Sequence, residues 1–170
     1  MNENLAEIQQ WYKKDPSLLV AEKAAMEKAF PNFKLKRTED GRLAWSGTII
    51  PGIWKGIDSS EDDSARQAWE VLAVYENNHP HQQMESSVKV FLINPTIDIV
   101  IKHIAWIPRY FLTDNISGRK YFCTADADEL KATISPSAAF VLARTVRWLM
   151  AFELVITGEI TKEEFNDPFI

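Results

Sequence analysis

The chain has one cysteine, Cys123. A single thiol cannot close an internal disulfide, which points to a reducing, cytoplasmic compartment. A long uninterrupted apolar run is lacking too. The longest, Ala138 to Ile156, is broken by Arg144, Arg147 and Glu153 and reads as a core helix, not a membrane span. Met1 to Gln10 is polar and lacks the basic flank and apolar stretch of a secretory signal. There is no basic excess: 19 Lys and Arg stand against 24 Asp and Glu, a net charge of -5, which argues against a generic nucleic-acid binder. The 6 glycines are scattered and form neither a dinucleotide loop nor a Walker-type loop. No Gly-x-Ser-x-Gly elbow occurs either, so nucleotide chemistry and serine hydrolysis lack support.

What is present suits one α+β domain. The 170 residues are 46% hydrophobic and include 6 tryptophans, enough to bury a real core. Over residues 1–30, Leu5, Ile8 and Tyr12 repeat at helical spacing, and Asp15-Pro16 supplies an N-cap and first helical position for a second segment. This predicts two helices or one broken helix, stopped at Pro31-Asn32. Residues 33–93 then change to period two. Phe33 and Leu35 alternate with lysines before the turn Glu39-Asp40-Gly41, and Arg42 to Ile50 returns. Trp69 to Glu76 and Ser87 to Ile93 follow, predicting a four-stranded antiparallel meander. Ser59 to Ser64 reads as a solvated acidic loop. Residues 96–112 are apolar but irregular, with a further strand open at Ile97 to Ile101. Ser135-Pro136 starts the strongest helix, which Gly158 stops, and Thr161 to Glu164 carries a capping-box pattern for a last short helix.

Cys123 falls outside any periodic element, between Arg119-Lys120 and Asp126. A nearby cation favours the thiolate over a thiol pKa of about 8.5, whereas Tyr121 and Phe122 equally suit a cysteine that fills a core gap. His79-Pro80-His81 falls short of a metal-ligand set. His103 leaves open a cysteine-hydrolase dyad, although no nucleophile signature surrounds Cys123. Asp126, Asp128 and Glu129 read as a solvated acidic patch, or as groups that position an incoming amine.

The order helix, strands, irregular segment with one cysteine, then helices resembles the ubiquitin-conjugating-enzyme fold. Ala29-Phe30-Pro31-Asn32-Phe33 and Gly41-Arg42-Leu43-Ala44-Trp45-Ser46-Gly47 look like the opening of its bacterial relatives. His79-Pro80 stands where they carry a Tyr-Pro turn, and Val88-Lys89-Val90 resembles the strand that follows. Asn115 precedes Cys123 by eight residues, the family's spacing from the asparagine of its His-Pro-Asn motif to the catalytic cysteine. Arg147 to Glu153 with Thr157-Gly158 resembles the C-terminal helix of members found in antiphage defence operons of the CBASS type. Two departures are plain: Thr113-Asp114 replaces His-Pro, and the stretch between the fourth strand and Asn115 is longer than in the eukaryotic enzymes.

The resemblance implies a single domain over 1–170, with an active-site segment at 96–132 and C-terminal helices at 136–170. It implies that Cys123 accepts a protein's C-terminal glycine as a thioester and passes it to an amine. Asn115 would donate a hydrogen bond to the oxyanion, worth about 3 kcal/mol, or else serve only to form a turn. Asp126 would position the amine. The implied partners are a ubiquitin-like protein or a CBASS nucleotidyltransferase, with an adenylating enzyme to activate it. No metal or organic cofactor is called for. The alternative is a non-catalytic protein-binding module on the same fold.

Overall fold

A computed structural model of the chain describes residues 9–58, 64–81, 86–108, 111–122 and 136–166. Two N-terminal helices, α1 (Trp11–Lys14) and α2 (Pro16–Ala29), are divided at Asp15, whose Oδ1 accepts the Leu18 N–H at 3.0 Å. The expected N-cap with Pro at the first helical position is therefore present. Leu5 and Ile8 lie outside the described residues.

Strands β1 (Lys34–Arg37), β2 (Leu43–Ile49), β3 (Trp69–Tyr75) and β4 (Val88–Asn94) follow as the expected antiparallel meander. Two further strands correct the four-stranded expectation. β5 (Phe111–Thr113) and β6 (Lys120–Phe122) form a hairpin that joins the sheet beside β4, giving the order β1-β2-β3-β4-β6-β5. The strand considered at Ile97 to Ile101 is instead part of a helix, α3 (Ile97–Ile104). Thr96 caps it by accepting the Ile99 N–H, and Ile97 and Val100 bury on one face at helical spacing. The long helix α4 (Ala138–Ile156) starts two residues later than Ser135-Pro136 predicts, at an N-cap formed by Ser137. The last helix, α5 (Lys162–Phe165), carries the expected capping box between Thr161 and Glu164. Among the described residues, no helix is long and apolar enough to cross a membrane.

Strand alternation sorts the side chains onto two faces. Trp45, Trp69, Val71, Tyr75, Val88, Val90 and Phe122 point to the core, where Leu142, Leu149 and Phe152 of α4 meet them. Ala44, Val74, Phe91 and Tyr121 share the opposite face as a smaller buried cluster.

Two buried carboxylates pin the helices to the rest. Glu153 of α4 is 0% exposed, and accepts the N–H groups of Ile53 and Trp54 at 3.0 Å each and the Trp69 indole N–H at 2.7 Å. Glu22 of α2 accepts the Tyr75 hydroxyl at 2.7 Å and the Ala138 N–H at 3.0 Å, while Tyr75 itself accepts the Trp45 indole N–H. His79 Nε2 stands 3.4 Å from Glu22 Oε1, an ion-pair separation that falls short of hydrogen-bond geometry. Burial would raise the Glu22 pKa, but His79, Ala138 and Tyr75 together outweigh it and hold the carboxyl below its ordinary 4.5.

Candidate active site

The β5–β6 hairpin holds Asn115 and ends at Phe122, the residue before Cys123. Cys123 and Asp126 themselves lie outside the described residues, as do Asp128 and Glu129. What the structure gives is the frame that leads into them.

Both sides of this hairpin are anchored. On the core side Phe111 and Phe122 pair across the strands with ring centroids 4.8 Å apart, and the Trp148 ring of α4 packs 4.7 Å from Phe122. Lys120 makes an ion pair with Asp98 of α3. On the other side Tyr121 packs against Phe91 at 5.9 Å, and Lys89 lies 4.9 Å over the Tyr121 ring. Aromatic pairs of this kind contribute about 0.5–1.5 kcal/mol each beyond area burial.

Alternation puts Arg42, Glu76, Lys89 and Asp114 on that second face, where they form one charged network. Arg42 donates to Glu76 at 2.8 Å and to Asp40 at 2.8 Å, and its Nη2 comes within 4.0 Å of Asp114. Lys89 Nζ lies 3.0 Å from Asp114 Oδ1 and 3.5 Å from Glu76. These contacts fold the hairpin tip across the sheet, towards the start of β2. Charges buried this far from bulk water need such partners, because a lone one would cost several kcal/mol.

Asp114 is 0% exposed and builds the turn. Its Oδ1 accepts from Lys89; its Oδ2 accepts the Ser117 backbone N–H at 2.8 Å and the Ser117 hydroxyl at 2.6 Å. Its own N–H donates to the Arg119 carbonyl, and its carbonyl accepts from Gly118. Gly118 sits at φ 69, a left-handed conformation that a side chain would strain. Burial would push the Asp114 carboxyl up, but the Ser117 and Lys89 bonds overcome it and bring the pKa down to about 2.

The turn-forming side-chain bond thus belongs to Asp114, not to Asn115. Asn115 is exposed in the turn, and its amide makes no hydrogen bond among the described residues. In the sequence Asp114 carries no signal of its own beyond its place immediately before Asn115.

No family model matches the chain, and neither does any curated protein or solved structure.

The histidines sit elsewhere. His79 is buried between the Trp11 and Tyr75 rings, with Nδ1 2.9 Å from the Ser87 hydroxyl, so it is a core group. His103 is exposed at the end of α3 with its ring 5.9 Å from Trp54. It lines a half-open cleft of about 410 Å³ together with Trp54, Trp106, Ile156 and Lys162. No residue of the β5–β6 hairpin lines that cleft. The hydrolase pairing of His103 with Cys123 involves a partner outside the described residues.

Proposed function

We propose that the chain is a cysteine-dependent acyl transferase of the ubiquitin-conjugating type, with that family's fold. Cys123 would carry the C-terminal glycine of a partner protein as a thioester, and a lysine amine would take it. The reading is supported most by one arrangement: a hairpin anchored on both faces presents Asn115 in an exposed turn and runs directly into Cys123. An amide with no bond of its own in the turn is able to donate to an oxyanion that develops only during the reaction. Asp126 is proposed to orient the amine.

The partner protein is proposed to be a ubiquitin-like protein or a CBASS nucleotidyltransferase, activated by an adenylating enzyme, with a place in antiphage defence. Comparison of conjugates in cells that carry wild-type or Cys123→Ala protein tests this: the conjugates should disappear with the thiol, and their persistence removes Cys123 from the chemistry.

A second reading, a non-catalytic binding module, is favoured by the apolar side chains on the hairpin's outer side. Ile116 is 58% exposed and Leu112 is 42% exposed. Binding of the same partner protein with equal affinity by Cys123→Ala, and no conjugate from either form, would select it.

A further inference from the structure

We propose that the cleft between the ends of α3 and α4 and the start of α5 binds a small planar aromatic carboxylate. The rings of Trp54 and Trp106 hold its plane, and Lys162 pairs with its carboxylate. This site shares no residue with the β5–β6 hairpin and is independent of the acyl-transfer reading.

Four stretches of chain converge on the cleft. Trp54 comes from the segment after β2, His103 and Trp106 from the end of α3 and just beyond, Val155 and Ile156 from α4, and Lys162 from α5. Its volume of about 410 Å³ is that of a small-molecule site, which ordinarily combines apolar walls with a few polar groups.

The aromatic walls are braced from behind, so their positions are set before a ligand arrives. The Trp54 ring packs 5.9 Å from Trp69, and its backbone N–H donates to the buried Glu153 at 3.0 Å. The Trp106 ring packs 5.5 Å from Phe165, edge to face, and 6.2 Å from Phe152. Ala105, just before it, sits at φ 52, a left-handed conformation that favours glycine. The residues on either side of that strained turn, Ile104 and Trp106, both line the cleft.

The charge is one-sided. Lys162 Nζ lies 5.4 Å over the Trp106 ring and makes no ion pair among the described residues. Among the described residues that line the cleft, none is acidic. Aromatic walls alone would also suit a cation. Here the Lys162 ammonium already takes the Trp106 face and repels a second positive charge. An anion carried on an aromatic ring satisfies both features at once, stacking on the indoles and pairing with the ammonium.

Titration of the full chain with naphthoate is followed through the tryptophan indole signals in proton–nitrogen correlation spectra. The Trp54 and Trp106 signals should shift together and saturate. That of Trp45, whose indole N–H is bonded to Tyr75 in the core, should stay in place. Naphthoate should bind about fivefold more tightly than neutral naphthalenemethanol. Its saturated analogue, decahydronaphthoate, should bind several-fold more weakly for want of a ring to stack. Lys162→Gln should abolish the preference for the anion, and Lys162→Glu should reverse it, so that naphthylmethylammonium binds more tightly than naphthoate. A merely structural defect would weaken all the probes alike and cannot produce that reversal. Lys162 is exposed, so both variants should fold; if Lys162→Glu does not, loss of the preference in Lys162→Gln decides. The proposal is overturned by unmoved Trp54 and Trp106 signals up to the solubility limit of naphthoate, or by shifts that spread equally to Trp45. Equal binding of decahydronaphthoate, or a preference for the anion that survives the Lys162 variants, overturns it as well. Shifts at Trp54 and Trp106 that follow protein concentration without any probe overturn it in favour of a second copy of the chain.

Discussion

Lys89, near the start of β4, donates to Asp114 in a turn 25 residues further along, at 3.0 Å across the second face of the sheet. That bond makes the short β5–β6 hairpin part of the sheet's charged network and not a free loop. It also ties the acid stability of the protein to the region that leads into Cys123.

Asp114 should leave a signature in the pH dependence of folding. Its carboxyl is depressed from 3.8 to about 2 in the folded chain. A group with a depressed folded pKa stabilises fully above its unfolded value, and that contribution is lost as pH falls through the folded one. The wild type should therefore exceed Asp114→Asn in stability at neutral pH, with the gap narrowing between about pH 4 and pH 2. Urea midpoints measured across that range check this. Glu22 is depressed in the same direction, so some acid limb should survive in the variant.

Removal of the buried Glu153 carboxylate should be costly. Three N–H groups, those of Ile53, Trp54 and the Trp69 indole, converge on it. Glu153→Ala leaves all three without a partner, for a loss of about 3 kcal/mol or more. Glu153→Gln keeps the shape but turns one acceptor into a donor, so a loss of about 1–3 kcal/mol is expected. Arg147→Ala, at an exposed position on the same helix, should change stability by less than about 0.5 kcal/mol in the same chemical-denaturation experiment.

Gly47 of β2 has no room for a methyl group. A Cβ there would sit 2.5 and 2.6 Å from ring carbons of Phe33. Gly47→Ala should overpack the site and cost about 1–3 kcal/mol. Gly47→Ala combined with Phe33→Leu should recover part of that loss, a non-additivity that thermal melts of the two single variants and the double variant would show.

The regular elements were legible in the sequence wherever one face repeats. Trp69, Val71, Ala73 and Tyr75 alternate and all face the core, as the period-two pattern predicts. Asp15-Pro16 and Thr161 to Glu164 carried their caps openly. Ile97 to Ile104 was harder to read, because its β-branched residues favour strands locally while their helical spacing buries Ile97 and Val100 in the core. β5 and β6 have three residues each, too few for a period to register. The Arg42–Glu76–Lys89–Asp114 network was hidden for another reason. Each charge sits at a strand end or turn where solvation is the ordinary expectation, and only the strand order brings them together. Of the proposed catalytic groups, Asn115 alone falls within the described residues, and its spacing to Cys123 is a property of the sequence alone.

The most direct test of the central claim is the intact mass of the folded full chain after incubation with N-acetylglycyl mercaptoethanesulfonate thioester. A single acyl adduct should form, map to Cys123, be released by dithiothreitol and be absent from Cys123→Ala. A folded wild-type chain that stays unmodified, although its thiol reacts once the protein is denatured, would contradict the claim that Cys123 carries the acyl group.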